Sequence, residues 1–120
     1  MLPLDWILAW LRAFALTAVV EVPIAMLLLR TAEPSALRRG AIAFFAQLVS
    51  HPCVWFVFAW LPWRWAVDVA IAETWAFGIE IVFYATVIKG LGWKRAALTS
   101  IAANATSFGL GLILEPWISP

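Results

Sequence analysis

Polar residues are sparse along this chain, and their spacing divides it into four long apolar stretches, at about 4–29, 41–61, 66–88 and 96–114. Each is long enough to cross a hydrocarbon core, which needs roughly 20 apolar residues at about 1.5 Å rise each. None alternates polar and apolar as a half-buried strand does. The pattern predicts an all-α protein, a four-transmembrane-helix bundle. Pro3 and Asp5 suit the start of the first helix, because a helix start leaves amides unpaired and favours an acid. Three short segments separate the helices. The first, Arg30 to Gly40, holds Arg30, Arg38 and Arg39. The second, Leu61 to Trp65, is rich in tryptophan. The third, Lys89 to Arg95, holds three further cations.

The polar positions inside the apolar stretches repeat. Glu21 lies nine residues before Arg30, and Glu80 nine before Lys89. Gln47 lies nine residues after Arg38, and Asn104 nine after Arg95; Ser50 and Ser107 follow three residues later. The expected architecture is two tandem helical hairpins, a parallel internal repeat with units at about 13–62 and 72–115. Nine residues of helix span about 13 Å, so all four side chains fall near the middle of a core about 30 Å thick. The copies differ in detail: Pro23 faces Val82 in the alignment, and His51-Pro52 faces Phe108-Gly109.

Composition narrows the class. Of the 120 residues 65% are apolar and 12% charged, too few charges to coat a soluble domain of this size. One integral membrane domain, 1–120, is expected, with the first helix retained as a span: it lacks the basic start of a secretory leader. The net charge of +1 gives no reason to expect a nucleic-acid partner. The basic loops place the inner side by the positive-inside rule, so both termini are expected outside a bacterial inner (cytoplasmic) membrane. Trp6, Trp10, Trp60, Trp63, Trp65 and Trp117 then gather at the outer interface, where an indole keeps its ring in lipid and its N–H in water.

The chemistry expected of this chain lies in its midplane layer. An ionised carboxylate there costs about 2.5–3.5 kcal/mol on insertion scales, so neutral acids are expected. A protonated carboxyl matches a primary amide donor for acceptor, which predicts Glu21–Gln47 and Glu80–Asn104 pairs. Glu21, Glu80, Gln47, Asn104, Ser50 and Ser107 are the candidate proton- or ion-binding residues. Glu73, two helical turns from Glu80, is a candidate outer-side acid. His51 is the only histidine; it is a candidate ligand or a hydrogen-bond partner to a neighbouring helix. No metal site, cofactor or catalytic constellation is expected, since no nucleophile elbow, zinc-protease motif or paired cysteines occur.

Several segments resemble an uncharacterised family of small four-span bacterial integral membrane proteins. They are Glu21-Val-Pro23, Ser50-His-Pro52, Glu80 and the run from Ala103 through Asn104, Thr106 and Ser107 to Gly109. Gln47 stands where that family is expected to carry asparagine. The resemblance implies fold and topology only. Two functions remain open at this point. One is proton or small-cation translocation through the layer, by a homo-oligomer. The other is an accessory or structural subunit of a larger membrane complex, including a pigment- or cofactor-carrying one.

Overall fold

The computed structural model describes residues 2–118, which form four α-helices and one short 3-10 turn, with no strand among the described residues. The helices are α1 (Leu4–Leu28), α2 (Ala36–Phe56), α3 (Trp65–Val87) and α4 (Trp93–Ile118); the 3-10 turn, Phe58–Trp60, extends α2. Three segments are long and apolar enough to cross a membrane: Leu4–Leu28, Ala36–Trp60 and Trp93–Trp117. Helix α3 has 23 residues, but it carries Asp68, Glu73 and Glu80.

The first and third helices lie within a residue of their predicted bounds; the other two do not. Helix α2 begins at Ala36, not near residue 41, because Ser35 caps it: its Oγ accepts from the Arg38 amide at 3.3 Å. Arg38 and Arg39 therefore sit in the first turn of α2, where Arg38 pairs with Glu33 at 2.9 Å and Arg39 donates to the Glu33 and Pro34 carbonyls. Helix α4 begins at Trp93, three residues before the predicted start, and runs through Pro116 to Ile118, past the predicted end near residue 114. A proline so near the end of a helix removes one hydrogen bond and leaves little helix beyond it to displace. The turn between α3 and α4 depends on Gly90 and Gly92, at φ of 79° and 81°, a region other residues avoid.

The helices pack as a ring: α1 lies against α2 and α4, and α3 against α2 and α4, with no close backbone approach across the diagonals among the described residues. The principal extents are 40 × 28 × 24 Å, and the long axis is close to the full thickness of a bilayer with its headgroups, about 40–45 Å. The radial distribution of side chains suits lipid better than water. Nine of the fourteen buried apolar residues described are alanines, while Val19, Leu27, Phe45, Val82, Ile101 and Ile113 face outward. Small interior residues let helix backbones approach closely where water does not drive them together.

Polar residues are inside. Glu21, Gln47, Ser50, Glu80, Thr99, Ser100 and Asn104 are all buried. On the side of the two basic loops, Ala25, Leu29, Ile42, Ala43, Ala46, Tyr84, Ile88, Leu91 and Ala96 form a closed core. Arg95 ties that end together: its Nε donates to the Leu28 carbonyl at 2.9 Å and its terminal nitrogen to Thr31 Oγ1 at 3.1 Å. A cation at this point also suits the negative end of α1.

Candidate functional site

The polar layer comes from one turn of each helix. Glu21 is seven residues before the end of α1 and Glu80 seven before the end of α3; Gln47 is eleven residues into α2 and Asn104 eleven into α4. Antiparallel neighbours bring these four positions to one level. Apolar packing above and below turns the side chains inward, because only the bundle interior offers them partners.

The partners differ from those expected. The Gln47 amide donates to Glu80 Oε1 at 2.9 Å, not to Glu21. Asn104 Nδ2 donates to Glu80 Oε2, the pairing expected within the second hairpin, and also to the Ser100 carbonyl at 2.9 Å. Glu80 thus accepts one amide on each oxygen. Glu21 accepts from the Ser107 hydroxyl on Oε1, and its Oε2 receives no N–H or hydroxyl among the described residues. The cause is the ring order: α1 packs against α4 as well as α2, so the nearest donor to Glu21 belongs to the opposite hairpin.

Ser50 does not bond to the acids; its hydroxyl donates to the Ala46 carbonyl of its own helix at 3.2 Å. Its contribution to the layer is to line a cavity of about 200 Å³. That cavity also takes in Glu21, Gln47, Asn104 and Ser107, and extends through Thr17, His51 and Glu73 to Trp55, Phe108 and Leu112. Trp55 lies at the end of α2, and Phe108 and Leu112 lie in the second half of α4. The cavity therefore occupies the half of the bundle that holds the termini, while the apolar core closes the other half. It has room for several water molecules. Glu73 is half-buried on its wall.

His51 bridges to α1. Trp10 Nε1 donates to His51 Nδ1 at 3.1 Å, and Thr17 Oγ1 lies 3.4 Å from His51 Nε2. An indole nitrogen can only donate, so Nδ1 is bare; the neutral ring then carries its proton on Nε2, facing Thr17. Both ring nitrogens are engaged by helix α1, leaving neither for a metal or pigment. Trp10 thus does more than mark an interface.

Four participants went unnoticed in the sequence. Thr17 is one turn before Glu21, and Ser100 one turn before Asn104, where its hydroxyl donates to the Phe77 carbonyl of α3 at 3.0 Å. That i, i+4 spacing from each layer residue was the available signal. Trp55 walls the cavity, and Tyr84, fully buried, sits one turn inward of Glu80 with its hydroxyl unpartnered. Among the described residues no group of three or more His, Cys, Asp or Glu side chains could hold a metal ion. No protein-family model, curated protein or solved structure matches this chain.

Proposed function

We propose that this protein is a four-span integral membrane protein of the bacterial inner membrane, built as two tandem hairpins with both termini outside. We further propose that it moves protons or small cations through the layer of Glu21, Gln47, Ser50, Glu80, Asn104 and Ser107. The observation that carries the transport reading is that buried Glu21, whose Oε2 has no hydrogen-bond partner among the described residues, lies on the wall of the cavity in the half of the bundle that holds the termini. A carboxyl that merely ties helices together is expected to find donors for both oxygens, as Glu80 does. Leaving an acceptor open inside a membrane protein is costly, and such groups belong to sites that take a proton or an ion.

The repeat is supported by burial at matched positions. Ala13 and Ala72, Glu21 and Glu80, Ala25 and Tyr84, and Leu29 and Ile88 are buried alike at a spacing of 59; Ile42 and Thr99, Ala43 and Ser100, Ala46 and Ala103, and Gln47 and Asn104 at a spacing of 57. The fourth span follows from the same frame. Of the three acids on α3, Glu80 is buried, Glu73 lines the cavity and Asp68 lies in its first turn, and the exposed Thr74 and Thr86 hydroxyls bond to carbonyls of their own helix.

In this reading the cavity supplies access from the outer side. Glu21 exchanges its proton there for a cation or for a second proton, while Glu80 and its two amides hold the layer together. Passage to the other side requires the core around Tyr84, Leu29 and Ile88 to part, an alternation between outward-open and inward-open forms. Purified protein in liposomes, with pH-sensitive and cation-sensitive dyes inside, provides the test. Wild-type protein is expected to give flux and Glu21→Gln/Glu80→Gln to give none while remaining folded. A folded double variant with wild-type flux defeats the transport reading.

A further inference from the structure

We infer that a cleft between the two basic loops binds a phosphate group, carried by an anionic lipid headgroup or present as free phosphate. The cleft measures about 280 Å³, and Thr31, Ala32, Gly90, Leu91 and Arg95 line it. It shares no residue with the cavity at Glu21. The inference does not rest on transport.

Charge is unbalanced at this end of the bundle. It carries Arg30, Arg38, Arg39, Lys89, Lys94 and Arg95 against one acid, Glu33. At the start of α2 the excess is met within the protein: Arg38 pairs with Glu33 at 2.9 Å, and Arg39 donates to the Glu33 and Pro34 carbonyls. At the start of α4 it is not. Lys94 and Arg95 lie in the first turn and Lys89 a few residues earlier, and no acid pairs with any of the three among the described residues. The carbonyl end of α1 offsets Arg95 in part. The amide end of α4 adds to the excess, because a helix start carries partial positive charge. Gly92, the residue before α4, has no side chain to cap it.

The residues lining the cleft suit an oxyanion. Arg95 is held in place by the Leu28 carbonyl and Thr31 Oγ1. Those bonds use its Nε–H and one terminal N–H; its other N–H groups have no partner among the described residues. Thr31 accepts from Arg95, which leaves its own O–H to donate. Neither residue is closed off: Thr31 is exposed and Arg95 partly so. A guanidinium presents N–H groups in a planar fork that matches phosphate oxygens, and a hydroxyl adds a further donor. Because Arg95 is already fixed, little side-chain freedom is lost on binding. A halide offers no such set of oxygens, and a cation is repelled. An exposed Trp93 at the start of α4 suits the interface of a bilayer, where the phosphate at hand is that of a lipid.

The test uses the full chain in an uncharged maltoside detergent and about 0.15 M ammonium acetate, where charges beyond about 8 Å are screened. Native mass spectrometry counts the ligands retained as phosphatidylglycerol, a diacylglycerol with the same chains, or inorganic phosphate is added. Phosphatidylglycerol is expected to fill one site saturably, and diacylglycerol, which lacks the phosphate, to bind far more weakly. Arg95→Gln is expected to weaken that first step about tenfold. Arg30→Gln removes the same charge from an exposed residue outside the cleft, so it is expected to change little. Inorganic phosphate separates the sources. If it leaves the bound lipid in place, the site belongs to a headgroup; if it is retained and displaces the lipid, the site belongs to free phosphate. The inference is overturned if neither ligand saturates, if diacylglycerol binds as tightly, or if a folded Arg95→Gln variant binds as wild type does. Equal weakening by Arg30→Gln also overturns it, since the effect is then one of diffuse charge. If Arg95→Gln fails to fold, Thr31→Val decides: several-fold weaker binding supports the site, and wild-type binding overturns it.

Discussion

Glu21 and Glu80 occupy equivalent depths in equivalent helices, and both are buried, yet they are held in opposite ways. Glu80 accepts an amide on each oxygen, from Gln47 and Asn104. Glu21 has a single hydroxyl donor, Ser107, and an unpartnered second oxygen, and the residue lies on the cavity wall. Equal burial therefore does not mean equal role. Glu80 joins three helices, α2, α3 and α4, and under the transport proposal Glu21 is the group that exchanges.

Substituting each acid by alanine is the most severe way to break this comparison. Glu80→Ala leaves the buried Gln47 amide without its acceptor, an orphaned group that costs about 1–3 kcal/mol, and takes from Asn104 its bond to another helix, leaving it the Ser100 carbonyl. Glu21→Ala loses one hydroxyl bond, worth about 0.6–2 kcal/mol in a membrane interior. Thermal unfolding in detergent, followed by circular dichroism, is expected to show the larger fall for Glu80→Ala. Equal falls erase the structural distinction between the two acids.

Glutamine sharpens the contrast on the side of function. Glu21→Gln keeps the shape and an acceptor for Ser107, so its midpoint is expected to stay near wild type while liposome flux falls to background. Glu80→Gln puts an amide against two amides, so it is expected to lose stability first. A Glu21→Gln variant that retains flux while Glu80→Gln loses it, both being folded, transfers the exchanging role to Glu80.

Ser107→Ala tests the one donor that Glu21 has. It removes a hydrogen bond worth about 1 kcal/mol, and the same change at Ser50 is expected to cost less, because Ser50 bonds only its own helix. Measured midpoints that rank Ser50 above Ser107 place the important hydroxyl on the wrong helix. The smallest expected effect is Tyr84→Phe. That hydroxyl is buried without a partner, so its removal is expected to leave stability unchanged or slightly raised. A clear loss of stability means that it has a partner in the folded protein.

How far this site could be seen in advance differs from residue to residue. The level of Glu21, Gln47, Glu80 and Asn104 was legible, because helical rise converts residue count from a basic loop directly into depth. The helix ends were less so: Ser35 starts α2 five residues early, and a serine three residues before the Arg38-Arg39 pair reads equally well as loop. The pairing was misread at Glu21–Gln47 because neighbours in a hairpin were taken as the natural partners. Position along a helix follows from the sequence, but rotation about its axis and the identity of the second neighbour do not.

The chain by itself therefore determined four long apolar helices, their short connections and a single level of buried polar groups. It did so through composition and spacing, which are one-dimensional quantities. Only the tertiary structure decided that α1 rests on α4, so that Ser107 reaches Glu21 and both amides converge on Glu80. It also decided that His51 is held between Trp10 and Thr17, and that the cavity at the polar layer lies in the half bearing the termini, while an alanine-rich core with Tyr84 packs the interior of the other. These are facts of helix order and azimuth, set by how small and large side chains from all four helices fit together at once.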